Sequence, residues 1–162
     1  MPGVFDIDYE FDRLKTECSG AKLVAVVVDT SAAFFTADEE NGNVEMRRHA
    51  SMLRELAQLP GKPCVIVLCH PTKGAGPDSL LPRGGGAFLN EIDANLTLWK
   101  DEATDIVTLH WQGKIRGTPF DAVRFELAGV ELADHVDSRG RPIRSSVARP
   151  ISEQRAEAQV AK

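Results

Sequence analysis

The chain has 162 residues, 43% of them hydrophobic, and a formal net charge of −5, which suits one domain with a real core. Its longest apolar run, Leu23 to Val28, is six residues, against the ~20 that a membrane-spanning helix needs. The acidic balance argues against wholesale electrostatic coating of nucleic acid, although a local basic loop can still meet phosphates. Near the amino terminus Asp6, Asp8, Glu10 and Asp12 replace the basic stretch and apolar core of a secretory signal, so a cytoplasmic protein is expected. Cys18, Cys64 and Cys69 are odd in number and have no C-x-x-C spacing. Buried, reduced thiols are therefore expected, not a disulfide framework or a zinc ribbon.

Ile7, Phe11, Leu14 and Cys18 recur at four, three and four residues, the spacing of one helical face, and Ser19-Gly20 ends that helix. The valine-rich run Leu23 to Val28 reads as a central strand covered on both faces. Met46, Ala50, Leu53 and Ala57 mark a second helix that Pro60-Gly61-Lys62-Pro63 stops, and Cys64 to Cys69 is a second apolar strand. Strand, helix, strand in that order implies a right-handed parallel crossover, hence an α/β class.

Pro71 to Gly86 carries five glycines and three prolines in sixteen residues, too many for a regular element, and loops of that length are commonly functional. A short helix around Ala87 to Ile92 then leads into a strand at Asn95 to Trp99. Asp105 to Trp111 and the alternation Val123, Phe125, Leu127 predict an antiparallel hairpin whose turn holds Lys114 and Arg116. Pro142 to Val147 reads as an edge strand. Residues 151–162, rich in Ala, Glu and Gln, form a polar tail beyond a domain at 1–150.

Several residue groups have the chemistry of a site. Asp29 ends an apolar strand and is followed by Thr30; a carboxylate at the carboxyl end of a parallel strand points into the crevice where α/β proteins bind ligands, although such acids also cap helices. His70 ends the next strand, before Lys73-Gly74. Arg83-Gly84-Gly85-Gly86 and Lys114-Ile115-Arg116-Gly117 each set cations beside glycines, where backbone and guanidinium can approach a phosphate; each is also a plausible solvated turn. No G-x-S-x-G elbow supports a serine hydrolase, and His70, His110 and Cys69 lack the spacing of a metal site.

Taken in chain order, these groups resemble the RepA-like ATPases of the RecA/DnaB replicative helicase group. The resemblance runs from Val24–Asp29–Thr30 through Glu45-Met46-Arg47, His70, Lys73-Gly74, Arg83-Gly84-Gly85, Glu91-Ile92-Asp93-Ala94 and Lys114-x-Arg116 to Phe125-Glu126-Leu127. It covers about Phe5 to Pro150. It implies a partial RecA-like P-loop NTPase fold, with parallel strands flanked by helices and a carboxyl-terminal antiparallel hairpin. It also implies a Walker B role for Asp29, meeting Mg²⁺ through water, and a sensor role for His70. Lys73, Arg83, Gly84 and Gly85 would form a nucleic-acid loop, and Arg83, Lys114 and Arg116 would contact phosphates in trans. Gly84-Gly85-Gly86 stands where the family has small hydroxyl residues, and Cys69 where a first histidine is common.

The family's phosphate-binding loop, G-x-x-x-x-G-K-[ST], is not in the sequence: Gly61-Lys62 runs into Pro63 and Gly113-Lys114 into Ile115. The resemblance therefore implies the carboxyl-terminal half of a ring ATPase, unable to turn over ATP and Mg²⁺ alone. Such a half is expected to self-associate or join full-length ATPase subunits, with single-stranded DNA as a further partner. A shortened reading frame, with strand edges left open in the sheet, is expected. The contrasting expectation is a non-enzymatic module binding single-stranded DNA or protein.

Overall fold

A computed structural model describes residues 6–36, 42–83, 85–152, 154–155 and 158. The chain divides into two compact units, Met1–Asn95 with Gly113–Arg116, and Leu96–Gln112 with Gly117–Lys162.

In the first unit, helix α1 spans Ile7–Glu17. The Asp6 carboxylate caps it by accepting from the Asp8 and Tyr9 amides at 3.0 and 3.3 Å, which satisfies two of the four amide donors that a helix start leaves open. Its inward face sets Ile7, Phe11 and Leu14 against the core. Strand β1, Ala25–Asp29, and strand β2, Cys64–Leu68, pair in parallel with Ala25 opposite Cys64 and Asp29 opposite Leu68. Helix α2, Asn43–Glu55, lies in the crossover between them, and its buried stripe of Met46, Ala50 and Leu53 packs with Val28, Leu56, Leu59 and Phe88.

A tight approach fixes the entry to β2. Gly61 has φ +95°, and a Cβ there would stand 2.4 Å from the Leu23 carbonyl oxygen, so only glycine fits this turn. Lys62 follows with φ 51°, and the Cys64 amide donates to the Val24 carbonyl at 3.0 Å. Helix α3, Gly85–Glu91, is tied to α2 by Arg54 Nη1 donating to the Glu91 carbonyl at 3.2 Å and by the Arg47–Glu91 ion pair at 3.3 Å.

The remaining strands are β3 (Ala94–Lys100), β4 (Ile106–Ile115), β5 (Val123–Val136) and β6 (Pro142–Pro150), forming a four-stranded sheet in that order. The β4–β5 and β5–β6 pairs are antiparallel, with Val107 opposite Phe125 and Leu127 opposite Ala148. Between β3 and β4 the Asp101 carboxylate accepts from the Ala103 and Thr104 amides at 3.0 and 2.8 Å, and Asp105 adopts φ 58°. These contacts close a hairpin.

The expected partial RecA-like fold, a parallel sheet flanked by helices, is corrected by this arrangement. Among the described residues parallel pairing is confined to β1 and β2, and β3 belongs to the four-stranded sheet. The physical reason is the connection: residues 101–105 suffice for a hairpin, whereas a parallel neighbour needs a crossover of about a dozen residues or more. The expectation that both faces of the apolar strands are covered is corrected as well. Val28 is buried, but Val27 is 61% and Ile66 47% exposed, because the helices cover one face of β1–β2. Among the described residues no helix is long and apolar enough to cross a membrane.

Candidate functional site

Because β1 and β2 are parallel and adjacent, their carboxyl ends emerge side by side. Asp29 is the last residue of β1 and lies opposite Leu68, so His70 follows two residues beyond that pair. Both are exposed. After Thr30 the chain turns into a short 3₁₀ helix at Ser31–Phe34, and after His70 it enters the glycine- and proline-rich loop. That loop is pinched: Pro71 and Pro82 form an isolated antiparallel bridge, and the Thr72 amide donates to the Leu81 carbonyl at 3.3 Å. The pinch brings Arg83, thirteen positions along the chain, back beside His70.

A cavity of about 370 Å³, including the solvent at its mouth, lies there, lined by Ser31, Ala32, Phe35, Met46, Cys69, His70 and Arg83. Met46, Phe35 and Ala32 supply apolar surface, and His70 and Arg83 supply polar groups.

Beneath the cavity is a buried polar cluster. Ser31 Oγ lies 2.9 Å from His49 Nε2, with Ser31 8% and His49 5% exposed. The Cys69 thiol donates to the Val67 carbonyl at 3.9 Å. Phe35 meets the His49 ring edge-on at 5.1 Å between centroids, and Phe88 lies 6.4 Å away on a tilted ring. Burial pushes the His49 pKa below its ordinary value, offset in part by a hydrogen bond to the Ser31 backbone, because burial disfavours the charged imidazole. Burial likewise raises the Cys69 thiol, against a smaller opposing effect from Ser31. Cys69 is thus kept as a thiol and is a poor nucleophile.

Sequence reasoning passed over Ser31 and His49. The available signal was a histidine at position 49 between Met46 and Ala50 on the apolar stripe of α2, where a buried imidazole needs a partner.

The other expected site residues lie apart from the cavity lining. Lys73 and Gly74 sit on the exposed part of the loop, Gly84 lies outside the described residues, and Gly85 opens α3. Lys114 Nζ donates to the Leu89 and Asn90 carbonyls at 2.9 and 2.8 Å. It therefore satisfies carbonyls at the end of α3, where a cation also suits the helix dipole. Arg116 pairs with Asp93 at 2.8 Å, and its amide donates to the Asp93 carbonyl at 3.0 Å. To reach a neighbouring subunit, Lys114 would give up both carbonyls and Arg116 its carboxylate.

Among the described residues no group of three or more His, Cys, Asp or Glu side chains could hold a metal ion. No protein family and no curated protein matches the chain.

Proposed function

We propose that this chain is the acid-and-sensor half of a RepA/DnaB-like ring ATPase of DNA replication or plasmid and phage maintenance, acting in the cytoplasm beside subunits that carry a phosphate-binding loop. The observation that supports the proposal is the placing of Asp29 and His70 at the carboxyl ends of neighbouring parallel strands, with His70 and Arg83 lining one cavity whose lining does not include Asp29. An anionic ligand bound in the cavity meets a guanidinium and an imidazole, and Asp29, at the end of the neighbouring strand, is the carboxylate that would accept hydrogen bonds from water around a cation. Without backbone amides to wrap the β and γ phosphates, the chain turns over no ATP by itself. Lys114 and Arg116 serve a neighbour's phosphates only after leaving their internal partners. Loop residues Lys73 and Arg83 are the contact to single-stranded DNA.

The test mixes the purified chain with a RepA-type ATPase that has the loop. The expected result is no hydrolysis by the chain alone and a changed rate in the mixture, an effect that Asp29→Asn and His70→Ala abolish. Mg²⁺-dependent hydrolysis by the isolated chain that Asp29→Asn removes, or a mixture whose rate never changes, would overturn the proposal. Affinity for single-stranded DNA should fall with rising salt if Lys73 and Arg83 meet phosphates.

A further inference from the structure

The outer edge of the four-stranded sheet is long, regular and open. β6 is the last strand in its order, and all nine residues of β6 are exposed. Its register against β5 runs unbroken from Phe125 opposite Pro150 to Leu132 opposite Ile143, so over this length no bulge turns the edge away from other chains, one of the usual protections. Backbone bonds at the two ends fix which way its groups point. The Ile151 amide donates to the Arg124 carbonyl at 3.1 Å, and the Asp137 amide to the Arg141 carbonyl at 2.9 Å. In an antiparallel ladder, residues that exchange both bonds with the neighbour alternate with residues that exchange none. Ile143, Ser145, Val147 and Arg149 therefore turn their amides and carbonyls toward β5, whereas Arg144, Ser146 and Ala148 turn theirs outward, where no strand lies among the described residues. Pro142 and Pro150 share the outward phase, the one that a proline without an N–H tolerates at a sheet edge.

We propose that β6 pairs antiparallel with β6 of a second copy of this chain, about a two-fold axis at Ser146, so that two sheets become one. In that register Ser146 lies opposite the partner's Ser146 and Arg144 opposite the partner's Ala148, and each outward amide and carbonyl of Arg144, Ser146 and Ala148 is bonded. Pro142 and Pro150 stand equally far from Ser146 on either side, so Pro142 falls opposite the partner's Pro150 and the missing donors coincide with the two ends of the pairing. An axis one residue to either side puts a proline opposite Ala148 or Arg144 and leaves a carbonyl there without a donor. Charge agrees with the register. Arg144 faces Ala148 and Arg149 faces Ile143, so no two arginines are opposed, which would be destabilising. An acidic strand is not called for, because Arg144 already pairs with Glu131 at 3.4 Å and Arg149 stands opposite Glu126 within the chain. The pairing also answers a local weakness: past Ile106 opposite Glu126, β5 and β6 run on as a two-stranded ribbon, which is marginal alone and gains from added strands. A two-fold contact of this kind closes on itself. It does not rest on the ATPase reading.

Analytical ultracentrifugation of the full chain tests this, with far-ultraviolet circular dichroism as the check on folding. The wild-type chain is expected to sediment at twice its monomer mass. Ser146→Pro removes an outward donor that the single chain does not use, and is expected to sediment at the monomer mass with an unchanged spectrum. Should Ser146→Pro not fold, Ser146→Glu and Ser146→Arg take its place. Each alone sets like charges across the axis and is expected to be a monomer, whereas an equimolar mixture of the two should recover the dimer, because position 146 meets itself in this register. A wild-type chain that stays monomeric up to its solubility limit would overturn the proposal, and so would a dimer that persists in folded Ser146→Pro. Where the charged variants replace it, overturning results are a dimer in either variant alone or a mixture that stays monomeric. A monomer that binds oligoglutamate or DNA along β6 gives the edge to a different partner and likewise overturns it. Neither Asp29 nor His70 lies in β6, so a failure here leaves the mixing result untouched, and a failed mixing test leaves the pairing standing.

Discussion

Replacing Gly61 with alanine tests whether the approach of the β2 entry to the β1 entry holds the first unit together. The new Cβ would sit 2.4, 2.8 and 3.2 Å from the Leu23 carbonyl oxygen, amide nitrogen and carbonyl carbon. All three are backbone atoms, so no side chain can rotate away and the turn itself must shift. A left-handed backbone costs an L-residue about 1–2 kcal/mol, and forced overpacking typically costs about 1–3 kcal/mol more. Against this, alanine narrows the unfolded ensemble and returns about 0.4–1 kcal/mol. The expected net loss is about 2–4 kcal/mol. At ~2–4 °C per kcal/mol for a chain of this size, the melting midpoint of the first unit should drop by about 5–15 °C. Gly74→Ala is the matched control, since Gly74 has φ +76° with nothing within 4 Å of a Cβ; it should show only the backbone part, about 1 kcal/mol after the same unfolded-state effect. The assay follows from the division of the chain: α1, α2 and α3 all belong to the first unit, whereas Trp99 and Trp111 lie in β3 and β4 of the second. Helical circular dichroism during heating therefore reports the unit that Gly61 serves, and tryptophan fluorescence reports the other. A Gly61→Ala midpoint within error of Gly74→Ala would refute the clash.

Two further outcomes follow from buried and capping groups. His49 has a folded-state pKa below its unfolded value of about 6.5, so below that pH the unfolded chain binds more protons than the folded one. Stability is then flat above about pH 7 and falls as pH drops through about 6.5 toward the lowered folded pKa; denaturant titrations at pH 7.5 and 5.5 should show the fall, and His49→Phe should reduce it. Lys114→Met keeps much of the aliphatic stem but removes the charge that meets the Leu89 and Asn90 carbonyls; it should cost about 0.5–1 kcal/mol, read as faster amide exchange in α3 with little change in α1.

Local pattern determined which elements form. The four-three-four spacing of Ile7, Phe11, Leu14 and Cys18 marked α1, the stripe of Met46, Ala50 and Leu53 marked α2, and the apolar runs ending at Asp29 and Cys69 marked β1 and β2. The alternation through Trp111 and after Val123 marked the β4–β5 pair. Such signals are legible because the helical and extended periods of a backbone show in a short stretch of side chains. Asp29 and His70 were legible as candidates for the same reason, each closing an apolar strand.

Partner choice belonged to the tertiary structure. Whether β3 continued a parallel sheet or turned back on β4 depended on the Asp101 turn, five residues whose hydrogen bonds no periodicity announces. Lys114 and Arg116 looked like free cations in a hairpin turn, yet their acceptors are the end of α3 and Asp93, about twenty-five positions away at most. Arg83 reached the cavity only through the Pro71–Pro82 bridge, and Ser31 and His49, eighteen residues apart, became a pair only when α2 folded over the end of β1. A residue's type and its near neighbours decide the shape of its own segment; which distant group satisfies a buried hydroxyl, imidazole or carbonyl is decided by packing, where the cost of leaving it unpaired is felt.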